Sequence, residues 1–163
     1  GLVLLAKNNA AEAFLTAAIK ARDIEKRYLC VTFGRPNPPA ALLRDYLLKD
    51  AERGIVRITD TTAGGAKEVI TEYETLAVSG RLALLEVELV TGRTHQIRVH
   101  MASIHHPLLG DTVYGPAKPA YPTGGQTLHA KVLGFVHPRT GAYMEFEAPL
   151  PEYFKKLLVN LHI

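Results

Sequence analysis

The 163-residue chain has no tryptophan, two methionines and one cysteine. Cys30 cannot form an internal disulfide and has no second thiolate with which to bind a metal, which favours a reducing, cytoplasmic compartment. No hydrophobic run approaches the roughly 20 residues that a membrane-spanning helix needs. These shortages argue against a disulfide scaffold and against a membrane protein.

Neither sign of charge is in large excess. Lysine and arginine total 19 against 16 acidic residues, which gives a net charge of +3 and a pI near 9.0. That balance is compatible with a polyanionic partner, but it does not select one. Hydrophobic residues make up 47% of the chain, enough for a core, and the length predicts one domain over residues 1–163.

Alternating apolar residues predict several strands. "GLVLLAK" at residues 1–7 predicts a buried strand, and "EKRYLCVTFG" at residues 25–34 predicts a second one. Residues 68–92 predict a hairpin that turns at Ser79-Gly80, and residues 126–150 predict another. Hairpins pair their strands antiparallel, so the expected class is α+β, with a largely antiparallel mixed sheet and flanking helices.

The helical patterns are shorter. A helix is expected after Asn8 and Asn9, another over "THQIRVHMASI" with Thr94 as its N-cap, and a last one from Pro151. "LLRDYLLKD" at residues 42–50 fits either a short helix or an irregular strand.

The segment "TGRTHQIRVHMASIHHPLLGDTVYG", residues 91–115, holds four histidines and two arginines. On a helix His95 and His100 lie about 140° apart, so they do not share a face as metal ligands would, and no metal site is predicted. The segment also lacks the glycine spacing and the lysine of a phosphate-binding loop. In "GDTVYG", Asp111 is expected to form a turn by accepting hydrogen bonds from nearby backbone amides.

Arg98 directly follows Ile97, which belongs to the apolar stripe of the predicted helix, so its guanidinium is expected to be partly buried. A buried guanidinium needs an anionic partner. The residues leave two alternatives open: a structural glutamate such as Glu86 or Glu88, or a functional carboxylate or phosphate.

Residues 91–115 resemble the signature block of the RluA-type RNA pseudouridine synthases. "EKRYLCVTFG" is similar to the block that carries the active-site tyrosine of that family, and residues 126–154 are similar to its closing hairpin and last helix. The resemblance is weakest over residues 36–67. It implies the pseudouridine synthase catalytic fold and the isomerisation of uridine to pseudouridine in structured RNA, ribosomal or transfer. Uracil is detached from C1′ of the ribose and rejoined through C5, without a cofactor or a metal.

The resemblance also implies roles for individual residues. Tyr28 would stack on the target base and assist removal of the proton from C5, and Arg98 would pair with a catalytic aspartate. Contacts with RNA are expected from Lys26, Arg27, Arg93, His95 and Gln96. A structural turn is expected from Gly110, Asp111, Tyr114 and Gly115.

One departure from the family concerns that aspartate. In the family it precedes a strand that "GLVLLAK" matches, and none of the aspartates of this chain lies in an equivalent motif. We therefore expect a catalytic domain that is incomplete at its N-terminus, inactive by itself and able to self-associate through exposed strand edges. The alternatives are an RNA-binding module derived from the same fold and, less in keeping with the spacing, a histidine-dependent metal hydrolase.

Overall fold

The computed structural model describes residues 1–118, 121 and 123–163. Within these residues the strands are β1 (Glu25–Phe33), β2 (Ala40–Asp50), β3 (Ile55–Thr59), β4 (Lys67–Ser79), β5 (Leu82–Leu89), β6 (Leu128–Val136) and β7 (Tyr143–Glu147). The helices are α1 (Asn9–Ala21), α2 (Gln96–Ser103) and α3 (Glu152–Asn160), with a 3-10 turn at Ala63–Gly65. In this part of the chain, no helix has the length and hydrophobicity needed to cross a membrane.

All seven strands form one sheet in the order β3-β2-β4-β5-β1-β6-β7. Each neighbouring pair in the described residues is antiparallel, so the α+β prediction is confirmed and the sheet is not mixed. The β4–β5 hairpin turns where predicted, with Gly80 at a φ of 55°. Glycine adopts this left-handed conformation without the steric cost that a side chain would bring.

Two local predictions are settled by strand pairing. Residues 42–50 belong to β2, which pairs with β3 on one side and β4 on the other. The strand predicted at residues 1–7 is wrong: the segment has no regular structure, and Val3 and Leu5 are mostly exposed. A backbone hydrogen bond from the Leu2 amide to the Ala130 carbonyl (3.0 Å) joins this segment to the sheet. Because β1 and β7 already pair with β6, only a short edge near Ala130 is open to it.

The alternation of β1 divides its side chains between two buried layers. Leu29 and Val31 face α3 and pack in a cluster with Phe154. Cys30 and the half-buried Tyr28 face the opposite way and pack in the cluster that contains Ile97 and Met101 of α2. The sheet therefore presents Tyr28 and α2 on the same face.

Four hydrogen bonds of the Gln96 side chain attach α2 to β4 and to the segment that precedes the helix. Its amide nitrogen donates to the Ile70 carbonyl (3.0 Å) and to the Thr71 hydroxyl (2.9 Å). Its amide oxygen accepts from the Thr91 hydroxyl (2.9 Å) and from the Arg93 amide (3.0 Å). Since Gln96 is buried with all of these groups satisfied, it holds the first turn of α2 in place.

The N-cap predicted at Thr94 is wrong. The capping position is His95, whose φ of 54° is left-handed and whose side chain makes no capping bond. The Gln96 side chain accepts from the Arg93 amide, so it ties the segment before the helix to the first turn.

His100 makes the second polar attachment of α2. Its buried ring bonds through Nδ1 to the Thr71 hydroxyl (2.8 Å) and through Nε2 to the Asp45 carboxylate (2.9 Å). Burial lowers the pKa of His100, although Asp45 acts in the opposite direction. The ring is therefore neutral in the folded protein at neutral pH, and it ties α2 to both β2 and β4.

This burial predicts a pH-dependent stability. The unfolded chain takes up a proton on His100 below the ordinary pKa of 6.5, whereas the folded chain resists it. Above that pH, His100 adds no pH dependence to the unfolding free energy. As the pH falls below it, His100 lowers the unfolding free energy, with a slope of up to about 1.4 kcal/mol per pH unit. We expect His100→Gln to flatten the pH dependence of the unfolding free energy, measured by urea denaturation between about pH 7.5 and about pH 5.5.

The matched control is His162→Gln, because His162 is exposed near the C-terminus. It should unfold with the pH dependence of the wild type. An equal pH dependence in wild type and His100→Gln would contradict the assignment to His100.

Candidate active site

Arg98 lies on α2 and is buried, with Asp111 as its partner. The guanidinium donates from Nε to one carboxylate oxygen of Asp111 (2.7 Å) and from Nη2 to the other (2.8 Å). Asp111 is buried as well. This two-bond geometry is the strongest arrangement available to an arginine and a carboxylate, and it satisfies the requirement of the buried cation.

Asp111 is itself held by the turn that it forms. Its Oδ1 accepts from the amides of Val113 (2.9 Å) and Tyr114 (3.1 Å). Burial alone would raise the pKa of Asp111, but the bonds from Arg98, Tyr114 and Val113 outweigh it, and the pKa is lowered. The carboxylate is therefore ionised at neutral pH.

Tyr114 completes the surroundings of the guanidinium. The Arg98 guanidinium carbon lies 5.1 Å from the centre of the Tyr114 ring, within the range of a cation–π interaction. The Tyr114 hydroxyl accepts from the Val56 amide (3.0 Å) and is hydrogen-bonded to His95 Nδ1 (2.9 Å). The tyrosine thus links α2 to β3.

One edge of the Arg98 guanidinium makes no hydrogen bond to Asp111. Within residues 1–118, 121 and 123–163, the Asp111 bonds occupy Nε and Nη2, and Nη1 has no hydrogen-bond partner. Arginine carries five N–H donors in a planar fork, so a second anion can bind end-on at this edge. The site can therefore hold one more carboxylate or phosphate.

The glutamates considered as partners of Arg98 lie elsewhere. Glu86 faces the opposite side of the sheet, where one of its oxygens is 4.0 Å from Arg27, and Glu88 shares that side by the alternation of β5. Neither Glu86 nor Glu88 is the ion-pair partner, because strand alternation points them away from α2.

The same alternation separates Lys26 from Arg27. Arg27 is close to three carboxylates on the far face: Glu25 (2.7 Å), Glu145 (3.7 Å) and Glu86. Lys26 is half-buried and follows the direction of Tyr28, and burial lowers its pKa although Glu88 opposes this. The far face is thus acidic with Arg27 neutralised on it, which makes it a poor surface for a polyanion.

Tyr28 lies near the middle of β1, between Val87 of β5 and Ala130 of β6. Burial raises its pKa, so the phenol is protonated at neutral pH. The Leu2 amide bonds to the Ala130 carbonyl, which brings the first residues of the chain next to the strand position beside Tyr28.

The remaining residues expected to contact RNA differ in their availability. Arg93 is exposed between β5 and α2. Gln96 is not available, because all four of its hydrogen-bonding positions serve the fold. His95 is half-buried with Nδ1 taken by Tyr114, and burial and Arg98 lower its pKa, so a contact with RNA would use Nε2 of a neutral ring.

The turn glycines leave no room for side chains. Gly110 has a φ of 80°, and a Cβ there would collide with Thr123 and Gly125. At Gly115 a Cβ would lie 2.6 Å from the Asp111 carbonyl oxygen. These glycines allow the loop to close tightly around the Asp111 carboxylate.

Sequence reasoning missed the contacts of Asp45, Thr71 and His100 and the bond from Tyr114 to His95. Each joins residues far apart in the chain, so no local signal could have indicated it. In the described part of the chain, no group of three His, Cys, Asp or Glu side chains lies close enough to hold a metal ion. A cavity of about 780 Å³ lies between residues 4–11 and the β6–β7 turn; neither Tyr28 nor Arg98 lines it.

Comparison with known proteins places this chain in a family. The family model for RNA pseudouridylate synthase matches residues 1–103. An uncharacterized RNA pseudouridine synthase of Bacillus subtilis, YlyB, is 40% identical over 161 residues, covering 99% of this chain and 52% of that protein. Ribosomal large subunit pseudouridine synthase D of Zymomonas mobilis is 35% identical, covering 98% of this chain and 53% of that protein. The chain spans about half the length of these relatives.

A solved structure supports the same fold. Human RNA pseudouridylate synthase domain containing 4 superposes with a TM-score of 0.76 at 22% sequence identity, covering 95% of this chain and 69% of that one. At this identity the likeness concerns the fold alone. Together with the sequence matches, it leads to one conclusion: the chain belongs to the RNA pseudouridylate synthase family.

Proposed function

We propose that the protein is an RNA pseudouridine synthase, which isomerises uridine to pseudouridine within structured RNA. The observation that carries the proposal is the buried Arg98, which has one edge free for a second anion and lies on the same sheet face as Tyr28. Family membership supplies the reaction class. The proposal is supported by a cation on α2 and a phenol on β1 that lie on the same face of the sheet.

The proposed role of Arg98 is to bind the catalytic carboxylate. A carboxylate at Nη1 would have its pKa lowered by the adjacent guanidinium and would stay ionised at neutral pH. An ionised carboxylate is the form that can attack C1′ or stabilise positive charge there. The resemblance implies an aspartate in this role, and Asp111 is not a candidate because both of its oxygens are engaged, Oδ2 by Arg98 Nε and Oδ1 by Arg98 Nη2 and the amides of Val113 and Tyr114.

The proposed role of Tyr28 is to stack on the extruded uracil. A base inside folded RNA must leave its stack at a cost of a few kcal/mol, and stacking on an aromatic ring recovers about 1–3 kcal/mol. The raised pKa of Tyr28 means that the phenol enters the reaction protonated. Assistance in removing the C5 proton therefore requires the phenol to pass its own proton on as it accepts the new one.

The charge of the two sheet faces supports one direction of RNA approach. The face with Arg27 carries Glu25, Glu86 and Glu145 and would repel a phosphate backbone. The face with Tyr28 also carries Lys26, and the exposed Arg93 lies at the start of the segment that leads into α2. We propose phosphate contacts from Lys26 and Arg93, and we leave out Arg27 and Gln96.

Ribosomal RNA is the proposed substrate class, because two of the relatives are named ribosomal large subunit pseudouridine synthase D. Transfer RNA and the cytoplasmic location stay predictions of the sequence. The absence of a cofactor is likewise a prediction, and an assay in the presence of EDTA tests it for metals.

The proposal is tested with the full-length protein and ribosomal and transfer RNA transcripts tritiated at C5 of uridine. Isomerisation releases tritium to water, and digestion of the product yields pseudouridine. We expect release in EDTA, more from ribosomal RNA than from transfer RNA. RNA binding without release would favour the non-catalytic RNA-binding module, and neither binding nor release would overturn the proposal.

We predict that Tyr28→Phe lowers the single-turnover rate of tritium release by at least about 100-fold, because the hydroxyl that handles the proton is lost. The dissociation constant for RNA should be nearly unchanged, since the stacking ring remains. The control is Tyr143→Phe on β7, which removes a hydroxyl bonded to Glu25 on the acidic face. Wild-type turnover by Tyr28→Phe would contradict the role of the phenol.

We also predict that Arg93→Gln weakens RNA binding and reduces the slope of log K against log salt concentration by about one, because one phosphate contact is lost. Filter binding across a salt series measures this slope. Arg27→Gln removes the same charge from the opposite face and should leave the slope unaltered. Equal slopes for wild type and Arg93→Gln would remove Arg93 from the RNA surface.

A further inference from the structure

We propose that Asp111 and Tyr114 are positioning residues for catalysis, which fix the orientation of Arg98 relative to Tyr28; this inference rests on the proposed function. Neither residue is expected to touch the substrate. Their effect would come through the guanidinium, whose free edge they direct toward the reacting carboxylate.

Asp111 is held rigidly by its own loop. Beyond its two bonds to Arg98, Oδ1 accepts from the amides of Val113 and Tyr114, and the side chain is fully buried. Its backbone amide donates to the Leu108 carbonyl (3.1 Å), and its carbonyl accepts from the Gly115 amide (3.1 Å). The loop thus fixes the carboxylate independently of its contact with the guanidinium.

The Asp111 loop is attached to β1. The Leu109 amide donates to the Val31 carbonyl (2.8 Å), and the Phe33 amide donates to the Pro107 carbonyl (2.9 Å). Val31 and Phe33 belong to β1, the strand that carries Tyr28. Asp111 therefore fixes Arg98 of α2 relative to the strand of the stacking tyrosine, which a contact within α2 alone would not do.

The Tyr114 ring lies under the Arg98 guanidinium, and its hydroxyl is bonded both to the Val56 amide and to His95. The Tyr114 backbone amide donates to Asp111 Oδ1, so both ends of the tyrosine are bonded to the surrounding structure. The guanidinium is confined by a carboxylate at one edge and by a ring at one face, so Nη1 is presented in a single direction.

The competing interpretation is a purely structural ion pair that stabilises the loop. Such a pair would affect folding but not the chemical step once the protein is folded. Chemistry is sensitive to position, and misplacement of a group by about 1 Å can cost about 100-fold in rate. The two interpretations therefore differ in whether the single-turnover rate falls in the folded variant.

The primary test is Asp111→Asn in the full-length protein, assayed by single-turnover tritium release and by RNA binding. We expect the rate to fall by about 100-fold with a nearly unchanged dissociation constant. The matched control is Asp50→Asn, because Asp50 accepts from the amides of Glu52 and Arg53 with the same turn spacing as Asp111. It should keep the wild-type rate, and a wild-type rate in Asp111→Asn would overturn the inference.

If Asp111→Asn does not fold, Asp111→Glu takes its place, since it keeps the charge and moves the carboxylate by one methylene group. The same loss of rate is expected. For the ring, Tyr114→Leu should lower the rate, and Tyr114→Phe should recover part of it, because the ring stays while the hydroxyl bonds to Val56 and His95 are lost. Equal rates in Tyr114→Leu and wild type would exclude the ring from the positioning role.

A double-variant cycle tests whether Asp111 acts through Arg98. If it does, the combination Arg98→Lys with Asp111→Asn is no slower than Arg98→Lys alone. If the rate losses of the two single variants multiply in the double variant, Asp111 acts independently of the guanidinium, and the inference is overturned.

A spectroscopic measurement separates failure of the inference from failure of the proposed function. The proton on Arg98 Nε, observed through its ¹⁵N-correlated resonance, should be protected from solvent exchange in the wild type. It should lose this protection in Asp111→Asn. An active wild type with an unprotected Nε would overturn the positioning role alone. A protected Nε in a protein that forms no pseudouridine would overturn the proposed function, and the catalytic role of the ion pair with it.

Discussion

The ion pair between Arg98 and Asp111 is the interaction on which the arrangement of the site depends. A guanidinium taken out of water without a partner is strongly destabilising, so this arginine can be buried only because the turn supplies a carboxylate in the right geometry. The turn itself requires Gly110 and Gly115, where a Cβ would collide with neighbouring backbone. The loop composition and the buried cation are thus parts of one constraint.

The attachment of α2 follows the same logic. With eight residues it is too short to be stable by itself, and buried polar side chains supply what length does not. Gln96 joins the first turn to β4 and to the segment before the helix, and His100 joins α2 to β2 and β4 through Asp45 and Thr71. Polar residues in an apolar layer are normally costly, but here each has its partners, and the network gives α2 one position on the sheet.

The sheet also separates charge between its two faces. Alternation along β1 and β5 gathers carboxylates on one side and leaves Tyr28 and α2 on the other. The net charge of +3 conceals this difference, because it averages an acidic face with one that carries Lys26 and Arg93. A protein of modest overall charge can in this way direct a polyanion to a single surface.

The sequence by itself determined the elements whose causes are local. The alternation in β1, the hairpin at Gly80, the final helix after Pro151 and the similarity of residues 91–115 to a known family are all legible without coordinates. Tertiary structure decided the rest: that Arg98 pairs with Asp111 and not with Glu86 or Glu88, and that residues 1–7 form no strand. The physical reason is that a buried charge or a strand edge takes whichever partner the fold brings near, and that choice depends on contacts between distant parts of the chain.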